Sequence, residues 1–264
     1  MSRDTHDIGA RLADMVEAAG ALILPLWRSG LDVAHKADDS PVTEADRRGE
    51  ALLLDLLARE FPGVPVVSEE DSSESGAPKT IASRFFLVDL LDGTKAFVRG
   101  DPHFTVNIGL IEDGRPVAGA VSGPALGDTW FTTSGGAAKR PIGGAAAPIF
   151  VRAWPKGEAV SLISHTMKPD QLAALQAEYG FDETHAMDSS VKLCWLAQGS
   201  ADIYPRHGPT MEWDIAAGQA VLEAAGGSVL QPDGAPFRYG KAEAGFRNGW
   251  FVARGDQNSR HRRT

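Results

Sequence analysis

The residues whose types and spacing could do chemistry are carboxylates: Glu69, Glu70, Asp89, Asp92 and Asp214. Each sits where an apolar, strand-like run stops or a helix-like run begins. The densest stretch is Phe85-Phe86-Leu87-Val88-Asp89-Leu90-Leu91-Asp92-Gly93-Thr94-Lys95. Here a strand ends on one carboxylate, a second follows three residues later, and Gly93-Thr94 opens onto a helix-like run. Carboxylates gathered without a matching run of Lys or Arg repel one another. Hard cations such as Mg²⁺ relieve that repulsion, through a few carboxylates plus substrate phosphate oxygens. Backbone N–H groups at the helix start offer a grip for an anion, and Gly93 lets the backbone approach closely. Each residue also has a plainer reading. Asp92 would cap a helix, Glu69 and Glu70 would be a solvated pair at a strand end, and Asp214 would be an N-cap. Asp46 would be first-turn charge complementing a helix dipole. Their concurrence in one chain favours the chemical reading.

The elements that must position these residues follow from periodicity. Ile8, Leu12, Met15, Val16, Ala19, Leu22, Ile23 and Leu26 repeat at helical spacing over 7–28, with Pro25 near the end. A second helix spans 43–60, with Thr43 as N-cap and Asp46 at the capping-box position. Pro65–Ser68 reads as a strand ending at Glu69, and 71–79 as a surface loop. A strand is expected over 84–89. Glu112-Asp113-Gly114 between the apolar runs 104–111 and 115–122 is a hairpin signal. A further strand covers 128–132, and the Gly- and Ala-rich stretch 134–147 reads as a loop or joint. The first half is therefore two helices plus an antiparallel meander. The second half alternates: strand 160–164, helices 169–179 and 191–198, strand 201–204, and helix 213–225 ended by Gly226-Gly227. Short strands at 228–230 and 249–253 follow, in the pattern of a layered α/β half. The expected division is 1–145, carrying most of the acidic cluster, and 146–264, carrying Asp214.

With 264 residues, 43% of them hydrophobic, the chain can bury a substantial core. Its net charge is −9 and its pI about 5.3. Without a basic stripe, no nucleic-acid polymer is expected as a partner. The single cysteine, Cys194, provides neither a disulfide framework nor a zinc cluster. The N-terminus is charged and lacks the apolar core of a signal peptide. No apolar run approaches the roughly 18 residues of a membrane helix. The expectation is a cytoplasmic protein without membrane insertion, acting on a small molecule.

Several motifs, in order, resemble the inositol monophosphatase superfamily of Mg²⁺-dependent, typically lithium-sensitive phosphomonoesterases. They are Lys36-Ala-Asp-Asp-Ser-Pro41-Val-Thr43-Glu-Ala-Asp46, Val67-Ser68-Glu69-Glu70-Asp71, Val88-Asp89-Leu-Leu91-Asp92-Gly93-Thr94-Lys95-Ala-Phe97, Phe104-Thr-Val-Asn107-Ile and Trp213-Asp214-Ile-Ala-Ala-Gly218. Three further features are similar to the 3′(2′),5′-bisphosphate nucleotidase branch: Asp92 to Phe97, Ser189-Ser190-Val-Lys192, and Tyr204-Pro-Arg206-His-Gly208-Pro209-Thr210. The resemblance implies an α+β fold, a layered α-β-α-β-α sandwich with the active site between the halves. It implies two or three Mg²⁺ ions on Glu69, Asp89, Asp92, Asp214 and the Leu91 carbonyl. Asp46, Thr94 and Glu69 form the implied catalytic set, with Asp46 and Thr94 orienting the attacking water. The implied substrate contacts are Gly93, Thr94, Ser190, Lys192, Arg206 and Asp214. The implied substrate is a small phosphate ester, foremost adenosine 3′,5′-bisphosphate, a by-product of sulfate activation, which would yield AMP and phosphate. An inositol or other sugar monophosphate is the alternative, and a catalytically silent metal-binding relative is a third reading. Relatives are often dimers, so a homodimer is an expectation carried by the resemblance alone.

The chain departs from the branch pattern at three positions. Leu90 stands where Pro is usual, Ala96 where Glu is common, and Asp188 where a Gly is expected before Ser189-Ser190.

Overall fold

The apolar stripe of the first helix becomes the buried side of α1 (Ile8–Ser29), where Leu12, Val16, Ala19 and Ile23 are fully enclosed. In the computed structural model, residues 8–29, 34–35, 41–42 and 44–256 are described. A two-residue ladder joins β1 (Ala34–His35) to β2 (Pro41–Val42). The next helix, α2 (Glu44–Glu60), packs on α1 through Leu53 and Leu57. The Thr43 cap expected for α2 lies outside the described residues.

The chain then builds one seven-stranded sheet. Its strands are β3 (Val66–Ser68), β4 (Arg84–Asp92), β5 (Thr105–Glu112), β6 (Arg115–Gly123), β7 (Asp128–Thr133), β8 (Gly136–Pro141) and β9 (Ala147–Ile149), in that spatial order. The first pair is parallel and the rest are antiparallel. Two short helices interrupt the series: α3 (Glu69–Ser75) after β3, and α4 (Thr94–Arg99) after β4. The β5–β6 turn has φ of 49° at Asp113 and 73° at Gly114, the pair of positive values that a two-residue hairpin requires.

The second half contributes β10 (Val160–Ile163), α5 (Pro169–Tyr179), β11 (Glu183–Ala186), α6 (Val191–Ala197), β12 (Ile203–Arg206), β13 (Thr210–Met211) and α7 (Glu212–Ala224). It closes with β14 (Ser228–Leu230), β15 (Arg247–Asn248) and β16 (Phe251–Arg254). A five-stranded sheet forms in the order β11-β10-β12-β16-β14, and β13 pairs with β15 separately.

Side-chain alternation assigns the layers, because successive strand residues face opposite sides. Phe86, Val88 and Leu90 of β4 join α1 and α2 in one core. Phe85 and Leu87 face the other way, into a core shared with α6, α7 and the inner face of the second sheet. Leu175 and Tyr179 of α5 cover the outer face of that sheet at Ile203 and Val252. The result is the expected α-β-α-β-α order. Helix α7 lies very close to the first sheet. A Cβ at Gly109 would stand 2.9 Å from the Ala217 nitrogen, and one at Gly119 2.7 Å from the Ala217 carbonyl oxygen. Two side-chain-free positions on adjacent strands thus set how deeply α7, and Asp214 near its start, can sink toward the sheet.

Three local expectations are corrected. Residues 71–75, expected to open a surface loop, instead continue α3, which starts at Glu69. The strand expected over 84–89 continues to Asp92. The stretch 134–147 holds β8 and the start of β9; its small residues mask a strand that is specified by pairing with β7.

Candidate active site

Strand β4 carries two of the carboxylates, and its register explains how both serve one place. Asp89 pairs with Asn107 and Asp92 with Thr105, so three steps on β4 match two on β5. In a regular strand, residues three apart point to opposite faces. The extra residue is a β-bulge, which re-aims a side chain, and both carboxylates reach the cleft region. The bulge is tied off locally: the Leu91 N–H donates to Asp89 Oδ1 at 3.0 Å, and Thr94 Oγ1 donates to the Leu91 carbonyl at 3.0 Å.

Gly93 follows with φ 91° and ψ 33°, the left-handed conformation that favours glycine. A Cβ there would also meet the His103 carbonyl oxygen at 3.0 Å and Ser189 Cβ at 3.2 Å. Both conformation and space require this glycine.

Glu69 arrives from the end of β3 as the first residue of α3. Asp214 arrives from the opposite side, as the third residue of α7, and accepts the Met211 N–H at 2.8 Å. One oxygen each of Glu69, Asp89 and Asp214 lie within 4.8 Å of one another. Burial pushes the Asp214 carboxyl well above the usual range, and neighbouring Asp92 and Glu69 push it further. Burial likewise raises Asp92, against the opposing pull of Lys192. An all-oxygen donor set in which carboxylates raise one another fits a hard divalent cation, whose binding would favour the ionised form of both carboxyls.

The cleft beside this cluster has a volume of about 280 Å³ and is lined by Glu69, Asp92, Thr94, Lys192, Arg206 and Asp214, among others. Gly93, Ser190 and Asp188 also face it. Ser190 is engaged in the wall itself. Its N–H donates to Asp92 Oδ2, and its hydroxyl bonds Asn107 Oδ1 at 2.8 Å and Thr105 Oγ1 at 3.0 Å. Lys192 is buried, and Nζ donates to the carbonyls of Met187 at 3.1 Å and Ser189 at 2.7 Å. Those bonds hold a turn in which Ser189 has φ 57°. Burial brings the Lys192 ammonium down to about 8, with Asp92 partly offsetting the shift. Arg206 Nη2 donates to the Pro209 carbonyl at 3.3 Å, while its buried Nε has no hydrogen-bond partner among the described residues. The Arg206 side chain lines the cleft, where a planar guanidinium suits an anionic ligand. Asp188 forms an ion pair with Arg99 Nη2 at 2.6 Å.

The structure therefore gathers Glu69, Asp89, Leu91, Asp92, Gly93, Thr94, Ser190, Lys192, Arg206 and Asp214 in one region. Asp46 has its backbone in α2, but its side chain lies outside the described residues.

Asn107 and Thr105 fall in a motif that carries the family resemblance but are given no role there; they anchor the Ser190 wall. Glu50 falls in none of those motifs. Glu50, on α2, is buried and accepts hydrogen bonds from the Ser68 hydroxyl and from the Asp71 N–H at 3.2 Å. A signal for Glu50 exists: it falls on the same helical stripe as the enclosed Leu53 and Leu57. A carboxylate on the apolar face of a helix calls for an interior partner.

Comparisons with known proteins agree with this geometry. The model of the inositol monophosphatase family matches residues 8–257. The chain is 37% identical to the 3′(2′),5′-bisphosphate nucleotidase CysQ of Salmonella typhimurium, over 92% of this chain and 98% of that protein. It is also 37% identical to the protein of the same name from Escherichia coli K12, with the same coverage. The crystal structure of CysQ from Bacteroides thetaiotaomicron superposes with a TM-score of 0.74 at 28% identity, covering 96% of this chain and 98% of that one. With its layers, its acidic cleft and a family match from one end of the described chain to the other, this protein belongs to the inositol monophosphatase family.

Proposed function

We infer that this chain is a Mg²⁺-dependent phosphomonoesterase whose substrate is adenosine 3′,5′-bisphosphate, hydrolysed to AMP and phosphate. The observation that carries the reading is the convergence of Glu69, Asp89 and Asp214 from three separate elements, with oxygens within 4.8 Å of one another, at the edge of a cleft. Glu69, Asp89, Asp92, Asp214 and the Leu91 carbonyl are the groups that would hold two or three Mg²⁺ ions. Such ions, when bound, make water nucleophilic at neutral pH and neutralise charge on the phosphoryl oxygens. Asp46 and Thr94 orient the attacking water. Gly93 and Thr94 hold the phosphate at the start of α4. No group of the protein is phosphorylated in this scheme, and Cys194, fully buried, takes no part.

The substrate assignment has its own support. The relatives named CysQ are bisphosphate nucleotidases, and Arg206 lines the cleft with a planar guanidinium suited to a second phosphate. A second reading, an inositol or other polyol monophosphate, is favoured by Asp188, whose carboxylate in the cleft wall suits hydroxyl groups better than phosphate.

The test is phosphate release from adenosine 3′,5′-bisphosphate and from inositol 1-phosphate, each with Mg²⁺ and with EDTA. Preference for the nucleotide, abolished by EDTA and by Asp92→Asn, is expected. Preference for inositol 1-phosphate would retain the chemistry and replace the substrate. Equal activity with EDTA would sink the metal-dependent reading.

A further inference from the structure

We propose that Glu50 is a positioning residue that fixes Glu69 for its metal ion from a different helix. The inference rests on the metal-site reading above. Glu69 is the first residue of α3, a seven-residue helix with no buried residue. Among the described residues no buried side chain anchors α3 along its length, so polar ties near its start bear on its orientation. An N-terminal turn has backbone N–H groups without intrahelical partners. The residue placed to accept one, Ser68, has the extended N-cap backbone but makes no side-chain capping bond. Its hydroxyl instead donates to Glu50, and the same Glu50 oxygen, Oε1, accepts the Asp71 N–H.

Ser68 and Asp71 flank Glu69 and Glu70 on both sides. A single buried carboxylate on α2 thus performs the capping function across a gap of 18 to 21 residues, and grips the chain one residue before and two residues after the proposed ligand. Negative charge at that end also complements the helix dipole. Glu50, Ser68, Glu69, Glu70, Asp89 and Leu91 border one small cavity, so the clamp and the ligands share a wall. Helix α2 is held by Leu53 and Leu57 in the first core. The clamp consequently refers Glu69 to the rigid helix pair rather than to the short helix that carries it. Partners of metal ligands commonly contribute one to two orders of magnitude in metal affinity or activity.

The experiment measures Mn²⁺ binding by electron paramagnetic resonance on the metal-free full chain, without substrate, for wild type, Glu50→Ala, Glu50→Asp, Glu50→Gln and a Glu69→Gln control. Glu50→Ala is expected to weaken Mn²⁺ binding about 10- to 100-fold. Glu50→Asp, which keeps the charge but shortens the arm, should weaken it nearly as much. Glu50→Gln, which keeps an acceptor oxygen at full length, should restore binding to within about threefold of wild type. With Mn²⁺ at saturation, KM should stay near wild type in all three. If Glu50→Ala fails to fold by circular dichroism, the Asp and Gln pair decides. Folded Glu50→Asp binding Mn²⁺ as tightly as wild type overturns the proposal. Loss of binding in Glu50→Gln equal to that in Glu50→Ala does so too, since charge rather than position would then be at work. Unchanged binding in Glu69→Gln would instead indict the metal-site reading on which the proposal stands.

Discussion

At the residue scale, Lys192 links the wall of the cleft to its electrostatics. The ammonium is held by two carbonyls and sits in a buried setting that brings it down to about 8. It is therefore charged below about pH 8 and neutral above. An anionic substrate should feel that change directly, so KM is expected to rise as pH passes from 7 to 9 while kcat moves less. In Lys192→Met the KM should be higher throughout, by about tenfold, and flat over the same interval. A wild-type KM that does not change over this range would remove Lys192 from substrate binding and leave it only the task of pinning the Ser189 turn. The sequence named this lysine as a cation facing the substrate, and the structure adds the second task. Local motifs revealed the residue; the carbonyls it serves belong to a turn whose shape no motif prints.

At the element scale, the β4–α4 junction shows how backbone geometry carries chemistry. The bulge between Asp89 and Asp92 and the left-handed Gly93 act in succession, one aiming the carboxylates and the other starting α4. Gly93→Ala should cost about 1–3 kcal/mol of stability through backbone strain, visible as a lowered Tm. It should also lower kcat/KM by more than that loss of folded protein explains, because the strain is released into the phosphate-holding turn. Retention of full activity in the folded Ala variant would separate Gly93 from the site. The paired carboxylates, Gly93 and the Asp113-Gly114 hairpin were legible because each rests on a short, local pattern. Strand β11 was not, because all four of its residues are exposed and no apolar alternation marks it. Strands β8 and β9 were hidden by small residues, and α3 was hidden because its cap is supplied by Glu50 from another helix. What the sequence conceals here is what distant partners complete.

At the scale of the whole molecule, the cleft is a seam. Glu69, Asp89 and Asp92 come from the first sheet and its connections, while Asp214, Lys192 and Arg206 come from the other half. The Arg99–Asp188 ion pair bridges the same seam between the end of α4 and the turn before α6. Asp188 also raises the carboxyl of Asp92, so it adds negative charge to a cleft that is to receive phosphate. Asp188→Asn should therefore raise kcat/KM for adenosine 3′,5′-bisphosphate several-fold relative to a monophosphate, with little change in Tm, since its partner Arg99 is half exposed. An unchanged ratio between the two substrates would mean that Asp188 serves only as a tether.

The convergence of ligands from both sides of that seam has one more consequence. An ion shared by Asp89 of β4 and Asp214 of α7 is also a cross-link between these elements, made without a covalent bond. Whatever binds the folded form and not the unfolded one stabilises it by mass action. The ion that enables hydrolysis would thus tie α7 to β4, and the Mg²⁺ concentration would set the protein's resilience as well as its rate.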